Sequence, residues 1–227
     1  MKEKGKQQIL LSEGNKYFER NRNSIPEGNA SIGFQLAIDF LRNFGVYGKD
    51  ITLVEIGCCY GYNLDYATKK LGGIKCIGIE PSEEAVRYGT VKFSSESVQL
   101  IQGTSDNLDV DTDTADVVVC GFCLYTVERA QLLKTIAEID RILKERGFII
   151  IYDFDTPLPY KRENIHNKLV PVYKVDLASL IISNPQYTLV EKKSYSHSGT
   201  VFVEEIQERC AINIIYKEKI EDIYIGG

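Results

Sequence analysis

Groups that titrate near neutral pH and long apolar stretches are both scarce in this 227-residue chain. It contains two histidines, one methionine and no tryptophan. No apolar run approaches the roughly 18 residues that would cross a membrane. The polar N-terminal segment leads only into Ile9-Leu10-Leu11, which is too short for the apolar core of a signal peptide. We therefore expect a cytoplasmic protein with no membrane partner.

An excess of basic residues is also missing. The chain carries 27 Lys and Arg against 32 Asp and Glu, which gives a net charge of −5 and an isoelectric point near 5.3. Nucleic acids attract positively charged surfaces, so this balance argues against nucleic acid as a partner. The hydrophobic fraction of 44% is that of an ordinary globular protein, and the length suffices for a substantial core.

Cysteine is too sparse for a disulfide framework, with six residues in the whole chain. Cys76, Cys120 and Cys210 lie in apolar, strand-like segments, which is typical of buried free thiols. Cys120 and Cys123 have the C-x-x-C spacing, but a zinc site would need a second ligand pair at similar spacing. We expect structural thiols and no metal site here.

Short apolar segments alternate with helical ones through most of the chain. The apolar residues between 31 and 44 recur at helical spacing, with Asn29 or Ser31 as a possible cap and Gly45 as the end. Strands are predicted at 51–56, 75–79, 98–101, 115–121 and 148–152, and helices at 64–71, from Ser82 onwards and at 128–144. This alternation predicts right-handed β-α-β crossovers and a parallel sheet.

The C-terminal part has a different pattern. A helix is predicted at 176–183, followed by strands at 187–195 and 210–217 with no helix long enough for a crossover between them. These two strands should therefore close one edge of the sheet as an antiparallel pair. We predict a lead-in or cap over residues 1–28, then a single domain over 29–227 with a substrate-loop insertion at about 153–186.

A glycine turn follows the first predicted strand. Gly57 and Gly61 lie between that strand and the next helix, where a ligand can approach the backbone closely. Ligands of doubly wound sheets bind beyond the carboxyl ends of the strands. Glu80 ends the second predicted strand, and an acid at that position can accept hydrogen bonds from both hydroxyls of a ribose.

Two cofactor classes use such a turn. The dinucleotide pattern G-x-G-x-x-G, started at Gly57, would need glycine at Cys59 and Tyr62. The alternative pattern E-x-G-x-G-x-G retains Glu55, Gly57 and Gly61, with Cys59 in place of the middle glycine. The spacing therefore favours the second pattern.

Residues 54–63, followed by Glu80, resemble the cofactor-binding motif of class I S-adenosylmethionine-dependent methyltransferases. Residues 102–108 resemble the G-D-A-x-x-L turn of that family, which flanks the adenine. Residues 115–119 resemble its F-D-x-V strand, and residues 132–147 resemble the helix-turn-strand segment usually written R-x-L-K-P-G-G.

The similarity covers about residues 30–155. It implies an α/β, Rossmann-like, doubly wound sheet of seven mostly parallel strands, and S-adenosylmethionine as the cofactor. Residues 153–187 resemble poorly characterised bacterial members of the family, and so say little about the substrate.

The resemblance also implies which residues contact the cofactor. The predicted contact residues in the matching motifs are Glu55, Gly57, Cys58, Tyr60, Gly61, Asn63, Glu80, Pro81, Thr104, Ser105 and Asp106. The loop after the fourth strand adds Gly121 and Phe122. Thr104 stands where an aspartate of the family often contacts the adenine amino group. Either Thr104 makes this contact more weakly or Asp106 makes it.

The acceptor is predicted to be a small molecule. The loop after the fourth strand has neither the Asn/Asp-Pro-Pro-aromatic turn of amino methylation nor the Pro-Cys pair of cytosine methylation. We expect methyl transfer to an oxygen or nitrogen of a metabolite or sugar-type molecule, with Tyr125 in that loop directed at the acceptor. An NAD-dependent oxidoreductase and a non-catalytic cofactor-binding domain are the alternatives, and the oligomeric state stays open.

His166 and His197 are the candidate general bases, because histidine titrates near neutral pH. His166 lies in the long segment after the fifth strand. His197 follows a strand that should run parallel to the fifth, so both histidines should lie on the ligand side of the sheet. Asp153 and Asp155 could bind a divalent metal, but two carboxylates alone are a weak signal and we expect none.

Overall fold

The computed structural model describes residues 3–24, 26–93 and 96–223. The helices are α1 (Glu3–Asn21), α2 (Ile32–Phe44), α3 (Tyr62–Lys70), α4 (Glu83–Lys92), α5 (Arg129–Ile142), α6 (Ala178–Ile182) and α7 (Ile220–Ile223). The strands are β1 (Thr52–Ile56), β2 (Lys75–Glu80), β3 (Val98–Gln102), β4 (Ala115–Gly121), β5 (Leu143–Phe154), β6 (Tyr160–Arg162), β7 (Val172–Lys174), β8 (Tyr187–Ser196) and β9 (Arg209–Lys217).

Seven strands form one mixed sheet in the order β3-β2-β1-β4-β5-β9-β8. The first five pair in parallel, whereas β9 is antiparallel to both of its neighbours, β5 and β8. β8 therefore runs in the same direction as the first five strands. The predicted fold class, with its antiparallel strands at one edge, is confirmed.

Apolar side chains of the central strand β4 divide between the two faces of the sheet. Val117 and Val119 pack in one core layer with residues of α2, and Val118 packs in the other with residues of α5. All three are fully buried. Burying one such side chain contributes about 1.5–3 kcal/mol, so the run of valines fixes β4 at the centre of the sheet.

The C-terminal end of α2 forms as the sequence predicts, whereas its N-terminal end lacks the predicted side-chain cap. Gly45 takes the left-handed conformation that ends the helix. Ser31 occupies the N-cap position, but its hydroxyl donates to the Tyr152 hydroxyl at 3.2 Å instead of capping the helix. Asn29 uses its side-chain oxygen to accept from the backbone N–H of Ala30 and from Gln35.

The N-terminal segment is more regular than its sequence pattern predicts. We expect an irregular or partly helical lead-in, whereas residues Glu3–Asn21 form one continuous helix. Phe18 of this helix is 1% exposed and packs against the rings of Tyr60 and Tyr88 at centroid distances of 6.0 and 5.4 Å. Tertiary contacts of this kind stabilise a helix even where its own sequence favours helix formation only weakly.

The segment after β5 also contains regular structure where we expect an irregular loop. β6 and β7 pair as a two-stranded antiparallel sheet, separate from the main one. Asn167, between them, donates to the Ser12 hydroxyl at 3.1 Å and accepts from the Lys16 ammonium at 3.3 Å. The insertion is thereby joined to α1.

The six cysteines are free thiols, and five of them are buried, as the sequence predicts. None of the helices in the described ranges is long and apolar enough to cross a membrane.

Candidate active site

The turn between β1 and α3 has a backbone conformation that favours glycine. Gly57 and Gly61 have φ angles of 76° and 82°. A Cβ atom on Gly57 would lie 2.7 Å from the Cβ of Cys123, so no larger residue fits there. Cys59, at the position of the missing middle glycine, keeps φ at 51°. That conformation costs a non-glycine residue roughly 1–2 kcal/mol.

Glu80 is fixed to this turn at the end of β2. Its Oε2 accepts from the backbone N–H of Cys59 at 3.0 Å, and its Oε1 accepts from the N–H of Ser82 at 2.9 Å. Burial raises the pKa of Glu80 to about 7, and the two amides oppose that rise. The carboxyl group is thus held in one orientation.

Glu55 and Asn63 form a second polar pair below the turn. Asn63 Nδ2 donates to Glu55 Oε1 at 2.6 Å, and Asn63 Oδ1 accepts from the backbone N–H of Ser31 at 3.1 Å. Within the described part of the chain, Glu55 Oε2 has no hydrogen-bond partner. Burial raises the pKa of Glu55 to about 8, and the bond from Asn63 only partly offsets this.

A cavity opens beyond the carboxyl ends of β1, β2, β3 and β4, where the sheet topology predicts a ligand. It encloses about 980 Å³ of empty space, including the open solvent at its mouth. The predicted cofactor residues that line it are Glu55, Gly57, Asn63, Glu80, Pro81, Thr104, Ser105, Gly121 and Phe122.

The remaining four predicted cofactor residues lie behind this wall. Cys58 is buried under the turn, and Gly61 begins α3. Tyr60 is 2% exposed in the aromatic cluster around Phe18. Asp106 accepts a hydrogen bond from the Thr104 hydroxyl at 2.7 Å, which puts Thr104 at the cavity and Asp106 behind it.

Aromatic rings form the wall on the side of the loop after β4. Phe122 makes edge contacts with the rings of Tyr125, Tyr152 and Phe154 at centroid distances of 6.5, 6.0 and 5.4 Å. Its backbone has a φ of 45°, and its N–H donates to the carbonyl of Tyr152 at 2.9 Å. The strained conformation is therefore held by β5.

Tyr125 lines the cavity, and its backbone is anchored to Asp153. The Asp153 Oδ2 accepts from the N–H of Tyr125 at 3.3 Å, and Oδ1 accepts from the N–H of Phe154 at 2.7 Å. Burial raises the pKa of Asp153 to about 7. Burial, followed by the charge of Asp153, also raises the pKa of the Tyr125 phenol, so this group stays protonated and can donate a hydrogen bond.

Asp153 and Asp155 have separate partners. The side chain of Asp155 forms an ion pair with Lys192 at 2.8 Å, whereas Asp153 accepts from backbone amides. Over the described ranges, there is no group of three or more acidic, histidine or cysteine side chains that could hold a metal ion.

The two histidines occupy different surroundings. His166 is exposed between β6 and β7, where its backbone N–H donates to the side-chain oxygen of Asn164 at 2.9 Å. His197 follows β8, and its ring stacks on Phe154 at 5.6 Å and meets Phe122 edge-on at 5.4 Å. His197 therefore contacts a ring of the cavity wall from outside, while His166 lies apart from the cavity-lining residues of the described chain.

In the described ranges, twelve further residues line the cavity without having been predicted, and five of them lie far from the predicted motifs in the sequence. These five are Glu13, Gly14 and Tyr17 of α1, Ser31 before α2, and Tyr152 of β5. They come from segments distant in sequence from the glycine turn, and no local motif marks them. The only signal was the position of the lead-in, which could fold back over the ligand face.

Comparison with known proteins agrees with this geometry. Residues 54–151 match the family model described as a methyltransferase domain. A curated relative, the demethylmenaquinone methyltransferase of Staphylococcus epidermidis, is 30% identical over 103 residues. The match covers 44% of this chain and 42% of that protein, so it spans less than half of the relative's length.

Solved structures share the fold over nearly the whole chain. The 1,6-didemethyltoxoflavin-N1-methyltransferase of Burkholderia thailandensis, solved with S-adenosylhomocysteine bound, superposes with a TM-score of 0.71 at 13% identity. That similarity covers 93% of this chain and 88% of the other. A methyltransferase of Aquifex aeolicus described as dependent on S-adenosylmethionine gives a TM-score of 0.58 at 18% identity, covering 90% and 97%.

The sheet order, the glycine turn with Glu80 and the matched domain together define a class of proteins. Residues 54–151 match a methyltransferase domain, and the chain shares the fold of solved S-adenosylmethionine-dependent methyltransferases. S-adenosylmethionine is the cofactor of this class.

Proposed function

We propose that this protein transfers the methyl group of S-adenosylmethionine to an oxygen or nitrogen atom of a small molecule. The observation that carries the proposal is the cavity at the carboxyl ends of the strands. There a conformationally fixed Glu80 lies next to the glycine turn, and aromatic rings form the opposite wall.

The residues present fit the cofactor in two respects. Glu55 has a buried oxygen that no described residue satisfies, which suits the ammonium group of an amino-acid moiety. Each oxygen of Glu80 accepts one backbone amide, and a carboxylate oxygen has room for a second hydrogen bond. These free positions suit the two hydroxyls of a ribose.

The cofactor, when bound, supplies a methyl carbon made electrophilic by its sulfonium sulfur. The residues of this chain then have to position the acceptor, exclude water and take up a proton. Tyr125 suits the positioning role, because its protonated phenol can donate a hydrogen bond to the acceptor. His166 and His197 are the candidate bases, and the ring contact with Phe122 favours His197.

The substrate is proposed to be a small molecule because the site is a cavity whose lining includes several aromatic rings. Two proteins similar to this chain are named for acceptors that are not macromolecules, a demethylmenaquinone and 1,6-didemethyltoxoflavin. The net charge of −5 favours this class of acceptor over nucleic acid. Salt-sensitive retention of DNA or RNA by the purified protein would contradict this part of the proposal.

Calorimetry with S-adenosylhomocysteine and with NAD tests the cofactor assignment. We expect binding of the first ligand only. In the Glu80→Ala variant, the loss of charge-assisted hydrogen bonds worth about 1.5–3 kcal/mol each should weaken that binding at least tenfold. The matched control is Glu191→Ala, which removes an exposed glutamate of β8. Comparable binding of NAD, or an unaffected Glu80→Ala variant, would contradict the assignment.

A pH–rate profile tests the base once an acceptor has been found by screening metabolites. With a histidine as base, the rate should fall as the pH is lowered, because a protonated imidazole cannot accept the proton of the acceptor. Replacing that histidine by alanine should cost roughly 10²–10⁴ in rate. A profile that is flat between about pH 5.5 and 8 in the wild type, His166→Ala and His197→Ala would exclude both.

A further inference from the structure

Glu13 is a buried acid at the cavity with an unused oxygen. It lies on α1, lines the cavity and is 8% exposed. Its Oε1 lies 3.5 Å from Nη2 of Arg20, whereas its Oε2 has no hydrogen-bond partner in the described ranges. A buried carboxylate oxygen is rarely left unsatisfied in a native protein, so a ligand group is expected to complete it.

Glu13 shares the cavity with Tyr125, the residue that we assign to the acceptor. Glu13 lines it from α1, and Tyr125 lines it from the loop after β4. Glu55 and Glu80 already supply the two carboxyl groups that we assign to the cofactor. Since S-adenosylmethionine brings a single ammonium group, Glu55 can satisfy that group and Glu13 stays available for the acceptor.

The surroundings of Tyr125 are aromatic. Its ring meets Phe154 at 5.4 Å and Phe122 at 6.5 Å, both edge-on. Aromatic faces attract cations, and aromatic rings pack well against flat apolar groups. A cavity lined by both an acid and such rings suits a ligand with a positively charged nitrogen attached to an apolar group.

We propose that Glu13 binds a cationic or N–H nitrogen of the acceptor and thereby selects small amines with an aromatic or apolar body. This inference rests on the proposed methyl transfer for its biological meaning, but the binding itself can be measured without any transfer. Because Glu13 lies on α1, the selecting group reaches the cavity only when that helix is packed over the site.

The experiment compares two probes that differ in one group, benzylamine and benzyl alcohol. Their affinities are measured by ligand-observed NMR on protein saturated with S-adenosylhomocysteine. We expect the wild type to bind benzylamine at least about tenfold more tightly, and Glu13→Gln to reduce this preference to less than about twofold. Affinity for benzyl alcohol should change little.

Glu19→Gln is the matched control, since it removes the same charge from an exposed position of the same helix. It should keep the wild-type preference. Equal binding of the two probes by the wild type, or an amine preference that survives in Glu13→Gln, would overturn the proposal. The wild-type comparison decides even where the Glu13→Gln variant does not fold.

A separate measurement distinguishes this proposal from the proposed function. S-adenosylhomocysteine binding is measured by calorimetry on the ligand-free protein, and the amine and alcohol probes are also measured on that protein. Absence of S-adenosylhomocysteine binding, with the amine preference present in the ligand-free protein, contradicts the proposed function alone. Binding of S-adenosylhomocysteine without any amine preference contradicts the assignment of Glu13 alone.

Discussion

Gly14 of α1 packs directly on Glu80, and a Cβ atom at Gly14 would lie 2.7 Å from Glu80 Oε1. Ordinary carbon and oxygen atoms do not approach that closely. The carboxyl group cannot easily give way, because both of its oxygens accept backbone amides. The N-terminal helix therefore covers the residue that we assign to the cofactor ribose.

Gly14→Ala should displace α1 from the site. Alanine favours the helix itself by about 1 kcal/mol, but overpacking at such a contact costs about 1–3 kcal/mol. We expect the affinity for S-adenosylhomocysteine, measured by calorimetry, to fall about tenfold. Glu19→Ala, an exposed change on the same helix, should leave it unchanged. Unaltered binding by Gly14→Ala would mean that α1 does not restrict the position of Glu80.

The affinity for S-adenosylhomocysteine should depend on pH through Glu80. Burial raises the pKa of Glu80 to about 7, so without ligand the carboxyl group is half protonated near neutral pH. Only the ionised form accepts hydrogen bonds from both ribose hydroxyls with both oxygens. Affinity should therefore rise as the pH increases from 6 to 8.

Glu80→Gln should bind weakly across that range and lose most of the rise, whereas Glu191→Gln should follow the wild type. Calorimetric titrations at several pH values provide the measurement. A pH dependence in Glu80→Gln as steep as that of the wild type would assign the effect to another group.

The stability of the ligand-free protein should decrease with rising pH because of Glu55. Its pKa is raised from 4.5 to about 8 in the folded state, so the folded protein holds a proton that the unfolded chain has released. The stabilising contribution is complete below about pH 4.5 and is lost as the pH rises through about 8. Each unit of pKa difference corresponds to about 1.4 kcal/mol at most.

Urea denaturation at pH 6 and pH 8 measures this decrease. Glu55→Gln keeps an oxygen for the hydrogen bond from Asn63, so the variant should fold and show a smaller loss between the two pH values. Part of the loss should persist, since burial also raises the pKa of Glu80 and of Asp153 to about 7. Identical stability of the wild type at both pH values would contradict the prediction.

The two histidines should respond differently to ligand binding. Both side chains are exposed, but His197 touches Phe122, a ring of the cavity wall, whereas His166 lies between β6 and β7 and does not line the cavity. We expect S-adenosylhomocysteine to shift the NMR signals of the His197 ring and to leave those of His166 in place. His166→Ala and His197→Ala assign the signals. A shift of the His166 signals alone would reverse the ranking of the two candidate bases.

The parts of the site that the sequence predicted are those encoded in one short segment. The glycine turn and Glu80 each follow directly from a strand, so strand recognition alone places them at the same edge of the sheet. Glu55 and Asn63 lie in the same strand-turn-helix unit and were predicted from the resemblance of residues 54–63 to the methyltransferase motif. The direction of β8, and with it the position of His197, followed from the absence of a crossover helix.

The contribution of α1 could not be predicted in this way. Glu13 and Tyr17 reach the cavity because Phe18 packs on α4, a contact between residues far apart in the chain. Tyr152 is similar, since its hydroxyl meets Ser31 and Asn63 only after the sheet has formed. Such contacts are set by tertiary packing and have no local pattern.

The hydrogen bonds from Asn167 to Ser12 and from Lys16 to Asn167 have a kinetic consequence. They join α1, which contributes Glu13, Gly14 and Tyr17 to the cavity, to the segment between β6 and β7. Gly14 packs on Glu80, so a movement of α1 away from Glu80 has to strain or break these two bonds. We therefore expect the two bonds to slow any opening of α1 over Glu80.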